Sequence, residues 1–370
     1  MSADPQLRDR LDRAAGYVKI DPERRLEEVR RAADRRGRGR RTRTLAVAAA
    51  IGVIAVVVVS QLRLAEDPGP PLAGGAPTGR IAFLGAQGNH RGLFVLDAAN
   101  AVATPITGED ESVLWAAWSP DGSQVAYILE GSGPRYAIVV AKADGSDPVT
   151  LVEAEDTGAV GADVIDLAWS PDGSRIAYSG RVVEDGVARR TILIVNADGS
   201  GAPVALQGLW VSVAWAPHAE RLLAVGFPQI GTHEGQFDLF TIRPDGSDPV
   251  QLTDDEAGEH EPSWSPDGTE IVFATGESDL AQDVFVMNAN GSDVRQLTDW
   301  EGLDLLPVWS PDGLWITFTS DRDATPAQQE SNRSGEAIFS GLSLYVMHPD
   351  GSDVTRVLES DAALPVSWAP

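Results

Sequence analysis

The chain has no cysteine in 370 residues. That excludes disulfides, thiolate nucleophiles, zinc–thiolate centres and a lipid-modified cysteine anchor. Two catalytic signatures are missing as well. No Gly-x-Ser-x-Gly elbow raises a serine, and no His-Glu-x-x-His sets two imidazoles on one helix face. The five histidines, His90, His218, His233, His260 and His348, fall at unrelated places in the sequence pattern. The expectation is therefore a protein that is not an enzyme and carries no cofactor. Positive charge is scarce outside the amino terminus. Residues 1–44 hold 14 Lys and Arg against 8 Asp and Glu, a net of +6, so with a formal charge of −26 for the whole chain the remainder carries −26 − 6 = −32. Such an acidic bulk repels phosphate and excludes nucleic acid as its partner.

One long apolar run is present. Thr44 to Leu62 contains no charge, and its nineteen residues would span about 28 Å as a helix, enough for a bilayer core. Arg35, Arg36, Arg38, Arg40, Arg41 and Arg43 crowd its amino-terminal side. The excess of arginine places residues 1–43 in the cytoplasm and everything after 62 outside. A cleaved signal peptide would need a charged region more than 40 residues long, so an uncleaved signal anchor fits better. Within the arm, Asp4-Pro5 and Asp21-Pro22 each set a capping Asp before a Pro, which predicts two short amphipathic helices. The arm could anchor topology at the membrane surface or hold a cytoplasmic regulator. Residues 63–79, with Pro68, Pro70, Pro71 and Pro77, read as a linker.

From residue 80 the sequence repeats. Trp118-Ser119-Pro120-Asp121-Gly122 recurs at Trp169, Trp264 and Trp309, as Trp215-Ala216-Pro217, and lastly as Trp368-Ala369-Pro370. Each turn is followed by a short apolar strand, then by another strand ending in Asp-Gly or Asn-Gly, then by a fourth. Four antiparallel strands per repeat of about 40–50 residues is a propeller blade. The first repeat lacks its first strand, and Leu364–Trp368 supplies one with nothing after it. Joining the two ends makes six blades and a closed ring over residues 80–370, which leaves no open sheet at either end. The predicted fold is an all-β six-bladed propeller behind a helical arm and one transmembrane helix.

These turns need no ligand to explain them. Pro fixes φ, and Asp-Gly adds an acceptor and a positive-φ residue, so Pro-Asp-Gly makes a tight hairpin. Asp-Gly-Ser-Asp at 144–147, 245–248 and 350–353 does not have the spacing of a calcium loop. The repeated Trp is expected to pack between adjacent blades.

Trp-Ser-Pro-Asp-Gly, with Met287-Asn288-Ala289-Asn290-Gly291-Ser292-Asp293 and Phe318-Thr319-Ser320-Asp321-Arg322-Asp323, resembles the TolB-like propeller repeats, a WD-like family. The resemblance covers about residues 81–370. It implies a docking surface in an envelope assembly, with a protein, a peptide or a wall component as partner. Propellers also host catalysis, so an enzyme acting on glycans or peptides stays open, as does an anti-sigma-like signalling protein.

The starting ends of the innermost strands should rim a central channel. Three residues before the Trp stand Trp115, Asp166, Ser212, Glu261, Leu306 and Pro365. Five before it stand Val113, Val164, Trp210, Glu259, Asp304 and Ala363. The candidate site is thus an acidic, partly aromatic mouth made of Trp115, Asp166, Trp210, Glu259, His260, Glu261 and Asp304. It suits a cationic group or peptide.

Overall fold

Short stretches rich in Val, Ile and aromatics, cut every few residues by Pro-Asp-Gly or Asp-Gly, can build only hairpins. The computed structural model arranges those hairpins as six four-stranded antiparallel sheets. It describes residues 79–369 apart from 88–89, 99–101, 109–110, 131–134, 156–165, 185–186, 228–236, 255–256, 279–280, 335–340 and 359–363. The basic arm, the apolar run at 44–62 and nearly all of the linker lie outside these residues. No helix among the described residues is long and apolar enough to cross a membrane.

The first sheet holds β1 (Arg80–Gln87), β2 (His90–Asp97) and β3 (Val102–Pro105). The second runs β4 (Ser112–Trp118), β5 (Gln124–Glu130), β6 (Arg135–Lys142) and β7 (Val149–Glu155). The third is β8 (Leu167–Trp169), β9 (Arg175–Glu184), β10 (Val187–Asn196) and β11 (Val204–Ala205). The fourth is β12 (Leu209–Trp215), β13 (Leu222–Phe227), β14 (Asp238–Ile242) and β15 (Val250–Gln251). The fifth is β16 (Gly258–Trp264), β17 (Glu270–Ser278), β18 (Ala281–Asn288) and β19 (Arg295–Gln296). The sixth is β20 (Asp304–Trp309), β21 (Ile316–Ser320), β22 (Ser343–Met347) and β23 (Thr355–Leu358). The last strand, β24 (Leu364–Ala369), returns to the first sheet.

There it pairs antiparallel with β1, Arg80 opposite Ala369 and Ile81 opposite Trp368, in the order β24-β1-β2-β3. The out-of-phase ends of the repeat pattern thus make one sheet. Ser367 also accepts the Trp118 amide of the next blade at 3.1 Å, so the last strand ties two blades.

The turns behave as their residues require. Gly122 N–H donates to Ser119 O at 2.9 Å, and Ser119 Oγ donates to Asp121 Oδ1 at 2.7 Å. Gly122, Gly173, Gly268 and Gly313 all stand at φ 64–70°. In the fourth blade, where Pro217-His218-Ala219 replaces Pro-Asp-Gly, the hairpin still closes by Ala216 N–H to Arg221 O at 2.9 Å. The outer turns occupy their own acidic groups: Asp144 Oδ1 accepts both the Ser146 amide and the Ser146 hydroxyl. Gly145 is needed twice over. Its φ is +82°, and a Cβ there would run into the Ile106 carbonyl of the preceding blade.

The repeated Trp residues fill the gaps between blades. Trp118 packs with Ala82, Leu84 and Leu93 of the first sheet, and Trp215 with Ile192 and Ile194 of the third. Trp169 Nε1 donates to Ala117 O of the blade before it at 3.0 Å. Arg80 and Arg175 lie over the Trp118 and Trp215 rings, 4.7 and 4.9 Å from their centroids.

The outer strands are shorter than the pattern 250–253 or 294–298 suggests. A side chain takes over the ladder there. Thr253 Oγ1 accepts Leu239 N–H and Thr298 Oγ1 accepts Val284 N–H, each at 2.9 Å. Two-residue edge strands also leave little unpaired backbone for another chain to join.

The sixth blade departs from the rest between β21 and β22, where α1 (Pro326–Ser334) is inserted. Thr325 and Gln328 cap it reciprocally, the Thr325 amide donating to Gln328 Oε1 at 2.9 Å. Asn332 donates to Asp321 Oδ2 at 3.0 Å, and the same carboxylate takes Trp300 Nε1 and the Leu303 amide on its other oxygen.

Candidate functional site

All six innermost strands ring one cavity of ≈ 480 Å³ on the propeller axis. Its walls run from Trp115, Asp166, Glu261 and Leu306, each the third residue before a Trp, out to the exposed or half-exposed prolines of the Trp-(Ser/Ala)-Pro turns. It therefore opens at the turn face. Trp115, Asp166, Glu261 and Leu306 form its inner end.

The acidic mouth expected at the starting ends of these strands is accordingly divided. The structure brings Trp115, Asp166 and Glu261 to the cavity. Trp210, Glu259 and Asp304 are fully buried instead. Trp210 donates Nε1 to Gln207 O at 2.8 Å and meets Phe240 edge-on. Glu259 accepts the Thr253 hydroxyl at 2.7 Å, and Asp304 pairs with Arg322 at 2.7 Å. His260 is half-buried, opposite Ala274, and is not part of the cavity wall. The Trp-Ser-Pro turns, assigned from sequence to scaffolding alone, supply most of that wall.

A bulge in the inner strands of the second, fourth, fifth and sixth blades explains the division. The pairing register slips between Val113 and Trp115, Trp210 and Ser212, His260 and Ser263, and Leu305 and Val308. One extra residue reverses which face the following side chains occupy. In the second, fifth and sixth blades the third residue before the Trp (Trp115, Glu261, Leu306) then meets the lumen, while Trp210, Glu259 and Asp304, each the fifth before its Trp, are buried away from it. In the fifth and sixth blades the slip puts Glu261 and Leu306 in the left-handed region, at φ 53° and 54°, each directly before a proline. That conformation is disfavoured before proline and costs of order 1–3 kcal/mol in a non-glycine residue.

The two carboxylates reach the same way round the ring. Asp166 Oδ2 accepts Ser212 Oγ at 2.5 Å and Val213 N–H at 2.9 Å on the next inner strand. Glu261 Oε2 accepts Leu306 N–H at 2.9 Å on the strand after its own. Each staples neighbouring blades while standing on the cavity wall. Burial pushes the Asp166 carboxyl up to about 6, against hydrogen bonds from Ser212, Val213, Leu167 and Trp115 that lower it. Burial pushes Glu261 up to about 7; the Leu306 amide lowers it, and the Asp166 charge raises it further.

Raised carboxyls favour the fold while they are protonated, so their contribution is complete below about pH 4, their ordinary range. It is lost as pH rises through about 6 and 7. At neutral pH their ionisation opposes folding, and a cation placed between them would offset that cost. The turn aspartates have the opposite sign. Asp121 and Asp172 are held near 2 by serine hydroxyls, so their contribution is present above about pH 4 and lost as pH falls through about 2. Among the described residues no cluster of three or more His, Asp or Glu is arranged to hold a metal ion.

Residues 124–282 match the family model described as the TolB beta propeller domain. A protein TolB homolog of Chlorobium luteolum is 28% identical over 155 residues, covering 42% of this chain and 32% of that protein. Dipeptidyl-peptidase 5 of Porphyromonas gingivalis is 41% identical over 59 residues, 16% of this chain and 9% of the relative. The chain thus spans a third or less of the length of these curated relatives. TolB from Acinetobacter baumannii superposes with a TM-score of 0.61 at 19% identity, over 79% of this chain and 67% of the other. That likeness is one of fold: a TolB-like six-bladed propeller.

Proposed function

We propose that this TolB-like propeller is a binding module, displayed outside the cytoplasmic membrane on a single-pass anchor at residues 44–62, that takes a cationic segment of an envelope protein or peptide into its axial funnel. The observation carrying the reading is the pair Asp166 and Glu261, two carboxylates held against their own ionisation at the inner end of a cavity walled by tryptophan and proline. A lysine or arginine side chain, or a free amino terminus, is the group such a pair accepts. The indole edges and prolines of the turns suit an extended, proline-containing chain behind that cation. The resemblance to TolB-like proteins favours a partner in the cell envelope. No catalytic step is assigned to the site; the carboxylates act by attraction and hydrogen bonding alone.

Cross-linking in intact cells tests this reading. A photoreactive residue replacing Ser263, on the funnel wall, should capture an envelope protein or peptide through a lysine- or arginine-bearing segment. Adding Asp166→Asn and Glu261→Gln should abolish that capture without lowering the amount of folded propeller. Undiminished capture in the doubly neutralised protein would remove the funnel from the binding role. Capture of a cytoplasmic regulator by residues 1–43 would favour signalling instead.

A further inference from the structure

The axial funnel has a floor, and the floor is an indole. Trp115 stands on the second blade and packs into the two interblade clusters beside it, around Trp118 and Trp169. It also packs against a third group, Ala274, Leu303, Leu305 and Leu306, on the fifth and sixth blades. The blades follow one another round the ring in chain order, so neither of these neighbours the second. The indole therefore reaches over the axis at the inner end of the cavity. Below that level the wall stops: of the described residues five before a Trp, none (Val113, Trp210, Glu259, Asp304) belongs to it. From Asp166 to Pro171 the wall rises five residues, about 16 Å at about 3.3 Å each. Its ≈ 480 Å³ spread over that depth gives a mean section of about 30 Å². An extended chain in packed sheets takes about 4.7 by 10 Å, so the funnel is one chain wide and not two. A loop does not fit, and a lysine on a chain lying across the mouth is too short to reach the floor on its four-carbon stem. A chain end fits.

We propose that the funnel receives the free amino terminus of a partner polypeptide, which enters end-on and brings its α-ammonium to the Asp166 and Glu261 carboxylates. The inference rests on the funnel being a cation site and adds which part of a partner enters it. Of the two ends of a chain, these carboxylates repel the carboxyl end and attract the amino end. An ammonium offers three N–H donors on one atom. Acceptors for them stand at the level of the indole, on the third and fifth blades. The bonds that staple neighbouring blades fall on Asp166 Oδ2 and Glu261 Oε2, and the second oxygen of each carboxylate takes no part in them. The residues behind the amine would then lie along the tryptophans and prolines of the wall. An exported polypeptide acquires a new free amino terminus when its signal peptide is removed. A processed envelope protein is thus the class of partner that fits.

Calorimetry of the full chain at pH 7 in physiological salt, with two synthetic peptides, tests end-on entry. Trilysine amide and N-acetyl-tetralysine amide each carry about four positive charges at that pH, but only the first has a free α-amine. Trilysine amide should bind at least about tenfold more tightly, the worth of one charge-assisted hydrogen bond. Trp115→Ala takes away the floor and should narrow that gap, because a chain can then pass further in and place a side-chain ammonium at the carboxylates. Equal affinities in the wild-type protein, or tighter binding of the acetylated peptide, overturn end-on entry and leave the cation site standing. Binding of neither peptide removes the cation site and the inference with it. A gap that persists undiminished in a folded Trp115→Ala protein overturns the indole as the floor. The wild-type comparison decides for or against end-on entry even if that variant does not fold.

Discussion

Removal of residues 364–370 is expected to abolish cooperative folding of the propeller or to lower its melting temperature by more than about 10 °C. The deletion takes away the innermost strand of the first blade, which pairs with β1 from Arg80 to Leu84. It also removes Trp368, which is 8% exposed and packs with Phe83, Leu96 and Trp315. Losing a buried Trp alone costs about 3–5 kcal/mol. The lost ladder and the newly exposed β1 add to that, against a net stability of about 5–15 kcal/mol for a typical domain. Ser367 would go as well, leaving the Trp118 amide without its acceptor. Circular dichroism melts of the shortened and full chains decide the matter. An unchanged melt would mean that the last strand and β1 do not share a sheet.

Arg322→Ala should be the most damaging point substitution among the charged residues of the sixth blade, at about 3–5 kcal/mol. Asp304 is fully buried, and one of its oxygens receives Arg322 Nη2 at 2.7 Å. Its other oxygen, Oδ1, has no hydrogen-bond partner. Without the guanidinium the carboxylate would be left buried and uncompensated, the situation that makes breaking such a pair so costly. Arg322 also lies over the rings of Phe318 and Tyr345, at 5.2 and 5.1 Å from their centroids. Asp304→Asn in the Arg322→Ala background should recover a large part of the loss. Urea unfolding of the two single variants and the double variant measures the coupling directly. A near-zero coupling would assign the cost to ring packing rather than to the buried charge.

The propeller fold was legible because its turn residues carry conformational requirements that can be read one at a time. Trp-Ser-Pro-Asp-Gly demands a hairpin wherever it occurs, and its spacing counts blades. The unmatched strand at Leu364–Trp368 points to a partner at the start of the repeats, and β1 is that partner. The site was only half legible. Alternation along a strand puts Glu259 and Glu261 on one face, and by that rule both would line the channel. The bulge reverses the parity between them, sending Glu261 to the lumen and Glu259 between blades. A signal was present in Pro262 and Pro307, since proline inside a strand marks an edge or a bulge.

The most direct measurement is isothermal titration calorimetry of the propeller with trilysine at pH 7 in physiological salt, repeated in two buffers of different ionisation enthalpy. Asp166 and Glu261 hold part of a proton each at that pH, and a bound ammonium must displace it. The wild-type protein should bind with net proton release, seen as a buffer-dependent heat. Asp166→Asn with Glu261→Gln should lose both the binding and the proton release, although the strongly acidic surface around it is almost unchanged. Equal affinity and no proton release in both proteins would show that surface charge, not the funnel, attracts the cation.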